Sequence, residues 1–181
     1  ERTSGNIWGN ELKITASDAA PNDWFGLSVS ISGDYAIVGA PYDDDNGSTS
    51  GSVYIYERTS GNIWGNELKI TASDAAANDW FGSDVSINGD YAIVGARNDD
   101  DNGTDSGSVY IYERTSGNTW GNEFKITASD GAANDLFGSA ISINGDYAIV
   151  GARRDDDNGT DSGSVYIYRI SGWYFIWSWN K

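Results

Sequence analysis

The residues best equipped for chemistry are carboxylates held in short loops. The run Asp43-Asp44-Asp45-Asn46-Gly47 recurs at Asp99-Asp100-Asp101 and at Asp155-Asp156-Asp157. Consecutive carboxylates repel one another unless water or a cation neutralises them, and Ca²⁺ takes roughly 6–8 oxygen ligands from flexible loops of this kind. The second and third runs add Asp105 and Asp161 where the first has Thr49. Calcium is therefore expected at Asp99, Asp101 and Asp105 and at Asp155, Asp157 and Asp161, and most weakly at Asp43 and Asp45. The competing reading is a solvated turn in which Asp and Asn side chains cap backbone groups.

Tryptophans form the second set. Trp24 and Trp80 each precede a Phe-Gly pair, and Leu136 takes that place in the third copy. An indole on a loop can stack on a sugar ring, which makes Trp24 and Trp80 candidate ligand-binding residues; leucine at the same place suits packing instead. Trp8, Trp64 and Trp120, with their Gly-Asn neighbours, read as structural. Catalysis has little to build on. With neither histidine nor cysteine, the familiar nucleophilic triads are excluded and only carboxylate pairs of the glycosidase kind are left. Glu11, Glu67 and Glu123 stand two residues before Lys13, Lys69 and Lys125, on one face of a strand, so surface ion pairs are expected there. No catalytic residue is assigned and no enzyme is expected.

All these residues recur because the chain states one 56-residue unit three times, at 1–56, 57–112 and 113–168, followed by a divergent segment at 169–181. Units one and two differ at 8 positions, units two and three at 7. A strict period of this length marks a repeat architecture. Active sites are usually single, so a residue present in every copy points to structure or to a multivalent surface. The net charge of −16 repels phosphate backbones and anionic lipid, which argues against nucleic-acid and membrane-surface roles. No segment is apolar for the roughly 20 residues of a membrane span. The chain opens in register with the repeat and without an initiator methionine or signal peptide, as a processed product or a fragment would.

Turn residues cut each unit into four runs. Phe25–Ile31 alternates, with Val29 and Ile31 on one face. A Ser-Gly-Asp turn, Asn-Gly-Asp in the later copies, leads to Tyr35–Ala40, apolar on both faces as in a covered strand. The acidic loop then leads to Ser52–Tyr56, with Val53 and Ile55 facing one way and Tyr54 and Tyr56 the other. The fourth run, Trp64–Thr71, carries Leu68 and Ile70. No helical period appears. The expected fold is all-β: propeller blades of four antiparallel strands, with a β-solenoid as the rival.

The sequence Phe25-Gly26 followed by Gly39-Ala40-Pro41 resembles the FG-GAP repeat of integrin α-subunit propellers, and most nearly its bacterial-type variant, across residues 1–168. Units two and three depart from it with Arg97 and Arg153 in place of Pro41. The resemblance implies a propeller, commonly of about seven blades, usually extracellular or at the cell surface, serving adhesion or recognition. In integrin-type repeats the calcium loop lies between the first two strands; here that connection is a tight turn and the acidic run comes one loop later, so calcium does not carry over directly. Three blades are too few to close a ring. A homo-oligomer or further blades of a longer chain are expected to complete it, a glycan is the alternative partner, and nucleic acid and membrane insertion are not expected. Ile7–Thr15 and Gly172–Trp179 are expected to be unpaired fourth strands at the two ends.

Overall fold

Strands form here where β-branched and aromatic residues alternate, and stop where Gly, Asn and Asp accept left-handed backbone. The computed structural model describes residues 2–3, 7–8, 11–171 and 174–175. In the first blade β3 (Ser28–Ser32) turns at Gly33 into β4 (Tyr35–Ala40); the acidic loop leads to β5 (Ser52–Ser60), which turns at Gly61 into β6 (Ile63–Ile70). The second blade repeats this as β7 (Phe81–Asn88), β8 (Tyr91–Ala96), β9 (Ser108–Ser116) and β10 (Thr119–Ile126). The third has β11 (Phe137–Asn144), β12 (Tyr147–Ala152), β13 (Ser164–Ser171) and the two-residue β14 (Tyr174–Phe175). Strands pair in chain order and antiparallel within each blade. β1 (Arg2–Thr3) and β2 (Ile7–Trp8) pair separately. Among the described residues there is no helix, and so none long and apolar enough to cross a membrane.

The all-β reading therefore stands, with four full strands in the first two blades and a third blade whose fourth strand is two residues long, while the three sheets do not close into a ring. The third strand runs past its expected end at Tyr56 to Ser60, crossing the unit boundary at Glu57. The Arg58 amide donates to the Asp34 carbonyl at 2.7 Å and carries the pairing onward to the Gly61 turn. The expected end strands need correction. Among the described residues of the expected Ile7–Thr15 strand, Ile7–Trp8 is a strand, paired with Arg2–Thr3, and residues 11–15 are not. At the other end Tyr174–Phe175 pairs with Ile170–Ser171, and the rest of the expected Gly172–Trp179 strand lies outside the described residues.

Blades stack through both faces of their middle strands. Ile37, Val53 and Ile55 of the first blade are buried in one cluster with Val85 and Ile87 of the second. On the other face Tyr54 and Tyr56 are buried, and Phe25 packs edge-on against Tyr54 at 5.4 Å. The Phe81–Tyr110 and Phe137–Tyr166 pairs repeat that contact at 5.2 and 5.3 Å.

The two glycines of the repeat signature meet between blades. A Cβ on Gly39 would lie 2.1 Å from the Gly82 carbonyl oxygen, and one on Gly95 would lie 2.3 Å from that of Gly138. Gly82 and Gly138 in turn adopt φ of 87° and 85°, where side chains are strained. The motif is thus the place where neighbouring backbones touch. Gly95→Ala is expected to cost about 1–3 kcal/mol or more, as overpacking does. Gly121→Ala, which meets no atom within 4 Å, should shift stability by less than about 0.5 kcal/mol. Urea unfolding of the two variants checks the contrast.

Candidate functional site

The loops that leave the second strand and enter the first lie at one end of each sheet, and the carboxylates converge there. Asp43 is held by the turn itself, its Oδ1 accepting the Asp45 amide at 3.1 Å. β5 sends the Tyr54 hydroxyl to Asp43 Oδ2 at 3.0 Å and to Asp18 Oδ1 at 2.8 Å. β6 sends Lys69, whose Nζ donates to Asp18, Asp43 and Asp45 at 2.7, 2.8 and 2.6 Å. The second blade rebuilds this, with Lys125 Nζ 2.8, 2.9 and 2.7 Å from Asp74, Asp99 and Asp101 and the Tyr110 hydroxyl on Asp74 and Asp99. Both lysines also sit over the tyrosine ring, about 5 Å from its centroid.

Each set of three carboxylates has the donor spacing a metal ion needs, with one oxygen from each residue within 4.8 Å of the others. In the first two blades, however, an ammonium already stands among them. A divalent ion would have to displace a positive charge bound by three carboxylates, so calcium does not fit these two sets while the lysine is in place. The lysine's hold also shows in the protonation equilibria. Lys69 hydrogen bonding, aided by Tyr54, keeps Asp18 below the usual carboxylate range. For Asp43, burial raises the pKa, but the Lys69, Asp45 amide and Tyr54 bonds outweigh it and the net shift is downward. Burial works to lower the Lys125 pKa, and its three carboxylate partners overcome that and raise it.

The expected Glu–Lys surface pairs do not form in the first two blades. Glu67 instead accepts Ser17 Oγ at 2.6 Å and the Tyr56 hydroxyl at 2.8 Å, and Glu123 accepts Ser73 Oγ at 2.5 Å and the Tyr112 hydroxyl at 2.8 Å. Glutamate and lysine do share a strand face, but the loop laid across that face gives each a nearer partner. Asp18 and Asp74, which complete the carboxylate sets, escape a reading of the acidic run because they come from that loop, about 25 residues upstream. The signal available was the Ser-Asp pair repeating in step with each lysine.

Asp105 and Asp161 stand apart from the sets. Their amides donate to Asp100 and Asp156 at 2.7 Å, and both adopt φ near 50°, as Thr49 does in the first copy. They cap turns. In the third blade the Tyr166 hydroxyl bridges Asp130 and Asp155 at 2.8 and 2.9 Å, and among the described residues no lysine reaches them. Repulsion from Asp155 and then Asp130 pushes the Asp157 pKa up.

The tryptophans come together. Trp24 and Trp80 flank Tyr42, with ring centroids 4.2 and 4.8 Å from it, and the Arg97 guanidinium lies 4.6 Å over Trp80. The ladder crosses two blades, and Trp24 remains half-exposed. Trp24, Trp80 and Leu136 all adopt left-handed backbone, φ 56–58°, which bulky residues rarely accept. Tyr42 and Arg97 were hidden from sequence reasoning because they occupy different repeat positions.

The family described as FG-GAP repeat matches the chain over residues 8–56, 64–112 and 120–168. No curated protein matches it.

Removing the central ammonium separates the readings of these loops. Lys125→Met is expected to cost about 2–4 kcal/mol at pH 7, near the range for breaking a buried pair but reduced because Asp74 and Asp101 meet water. The second blade's contribution to the pH dependence should also change. In the unmodified chain burial raises the Asp74 pKa, but Lys125 hydrogen bonding, aided by Tyr110, outweighs it and lowers the pKa, giving stability present above about 3.8 and lost as pH falls below it. In the variant the lysine that lowers the Asp74 pKa is gone and burial is left to raise it, so the deficit should shrink as pH falls toward 4. Urea midpoints at several pH values, with and without millimolar calcium, test both; calcium should rescue the variant and leave the parent unchanged.

Proposed function

We propose that this chain, which belongs to the FG-GAP repeat family, is a non-enzymatic structural or adhesion module working outside the cell or at its surface, its blades completed by other copies or by further blades. The observation that carries the reading is the pair of uncovered apolar sheet faces, Val29 and Ile31 at one end of the stack and Val165 and Ile167 at the other. Apolar surface of this kind on a protein of high net charge marks an interface. The absence of an enzymatic role is supported by the carboxylates, which in the first two blades are engaged by lysine, tyrosine and backbone amides rather than poised as an acid–base pair. Repeats of this family are typical of extracellular or surface proteins, which is the support for location.

A second reading, a lectin-like module, is favoured by the ladder of Trp24, Tyr42 and Trp80. Half-exposed rings held in strained backbone offer a stacking surface for a sugar. Calcium enters either reading only if it displaces Lys69 or Lys125, since the carboxylate sets with metal-ligand spacing are Asp18, Asp43 and Asp45 and Asp74, Asp99 and Asp101.

Light scattering after size exclusion addresses the first reading: a species heavier than the 19.5 kDa chain is expected at micromolar concentration, and a folded single chain would count against it. Glycan-array binding abolished by replacing Trp24 and Trp80 would transfer the weight to the second. Calorimetric titration of chelator-treated protein with millimolar calcium should show no binding at the lysine-filled loops; binding there would restore calcium to them.

A further inference from the structure

We propose that the third blade of one copy stacks on the first blade of a second copy, repeating between chains the contact that joins blades within the chain. The inference rests on the assembly reading above and adds the partner, the polarity and the register.

The joint inside the chain has two unlike halves. Val85 and Ile87, each 4% exposed, lie against Ile37, Val53 and Ile55, all at 0%. Ile143 packs in the same way in a cluster with Ile93, Val109 and Ile111. At the ends of the stack the same repeat positions stand open. Val29 and Ile31 are 67% and 65% exposed, while Ile149, Val165 and Ile167 are 42%, 61% and 66% exposed. One end therefore presents the first half of the joint and the other end the second. Neither half fits itself, so the contact is heterologous, head to tail.

The polar contacts agree with the same register. Between the first and second blades, the Ile87 and Gly89 amides donate to Ser30 Oγ and Ser32 Oγ, both at 3.2 Å. Between the second and third, the Ile143 and Gly145 amides donate to Ser86 Oγ and Asn88 Oδ1, both at 3.1 Å. The next acceptors in this series are Ser142 and Asn144, which line an open groove on the third blade beside Ile149 and Ile167. The matching donors are the Ile31 and Gly33 amides of a second copy.

The outer end of the joint fits too. Tyr35 packs edge-on against Trp120 at 5.7 Å, under the Arg114 guanidinium at 4.6 Å. Tyr147 is half-exposed at the equivalent place, and Trp64 and Arg58 of a second copy are its counterparts. Apolar, hydrogen-bonding and aromatic matches fall in a single register. Two chains make a six-bladed ring if the rotation closes and a filament if it does not.

Two single variants test this. Ile31→Asp spoils the first-blade face and Ile167→Asp the third-blade face. Both side chains are exposed within the chain, so each variant should keep the parent's melting profile; Val29→Gln and Val165→Gln serve if either does not. Each variant alone is expected to run as a single chain, its self-association weakened at least about 100-fold by the buried charge. An equimolar mixture should form a heterodimer, since each carries the face the other has lost. A variant that alone keeps the parent's assembled mass, or a mixture that stays monomeric while the parent assembles, overturns the inference and leaves the assembly reading in place. A folded parent that is monomeric overturns both, leaving blades of some other chain as the occupant.

Discussion

Everything in this molecule depends on sheets meeting face to face at backbone distance. Four strands of alternating Val, Ile and Tyr bury one apolar face only when another sheet lies on it, and the approach is set where Gly39 meets Gly82 and Gly95 meets Gly138. With side chains at those points the sheets would be held apart, and the burial of Ile37, Val53 and Ile55 would be lost. The driving force is ordinary removal of apolar surface from water. Its direction is set by geometry: each blade has one face for the blade before it and another for the blade after, so the stack has polarity.

The charged end of each of the first two sheets follows from the same stacking. The loop entering a blade is laid over that blade's outer strands, and the lysine and glutamate of the fourth strand clamp it through Asp18 and Ser17, or through Asp74 and Ser73. The ammonium does what a bound cation does elsewhere: it allows three carboxylates to share a small volume. In these two sets the internal cation stands where a metal ion would be held. In the third blade the Asp157 amide and Tyr166 hold the Asp155 pKa down, while Asp157 is pushed up by repulsion from Asp155.

Much of this was legible in the sequence because repetition and period-2 alternation are local signals. Tyr35–Ala40 and the facing of Val53 and Ile55 against Tyr54 and Tyr56 follow from side-chain alternation alone. What escaped was everything set by long-range contact. Asp18 joins Asp43 only because the entering loop is draped over β5 and β6, and no spacing rule in the acidic run announces it. Lys69 looked like a partner for Glu67 because both share a strand face, yet nearer carboxylates came from elsewhere. The stacking of Trp24 with Tyr42 and Trp80 likewise depends on how two blades align. Position 42 carries tyrosine in only one copy, so repetition, which revealed so much else, concealed it.

Hydrogen exchange at individual amides measures the shared joint most directly. The Ile87 and Ile143 amides, bonded across the joints inside the chain, should be protected at every concentration. The Ile31 and Gly33 amides should exchange rapidly in dilute solution and gain protection approaching theirs as concentration rises into the range where chains associate. Rapid exchange at Ile31 and Gly33 throughout an association seen by light scattering would contradict the account, since the chains would then be joining through some other surface.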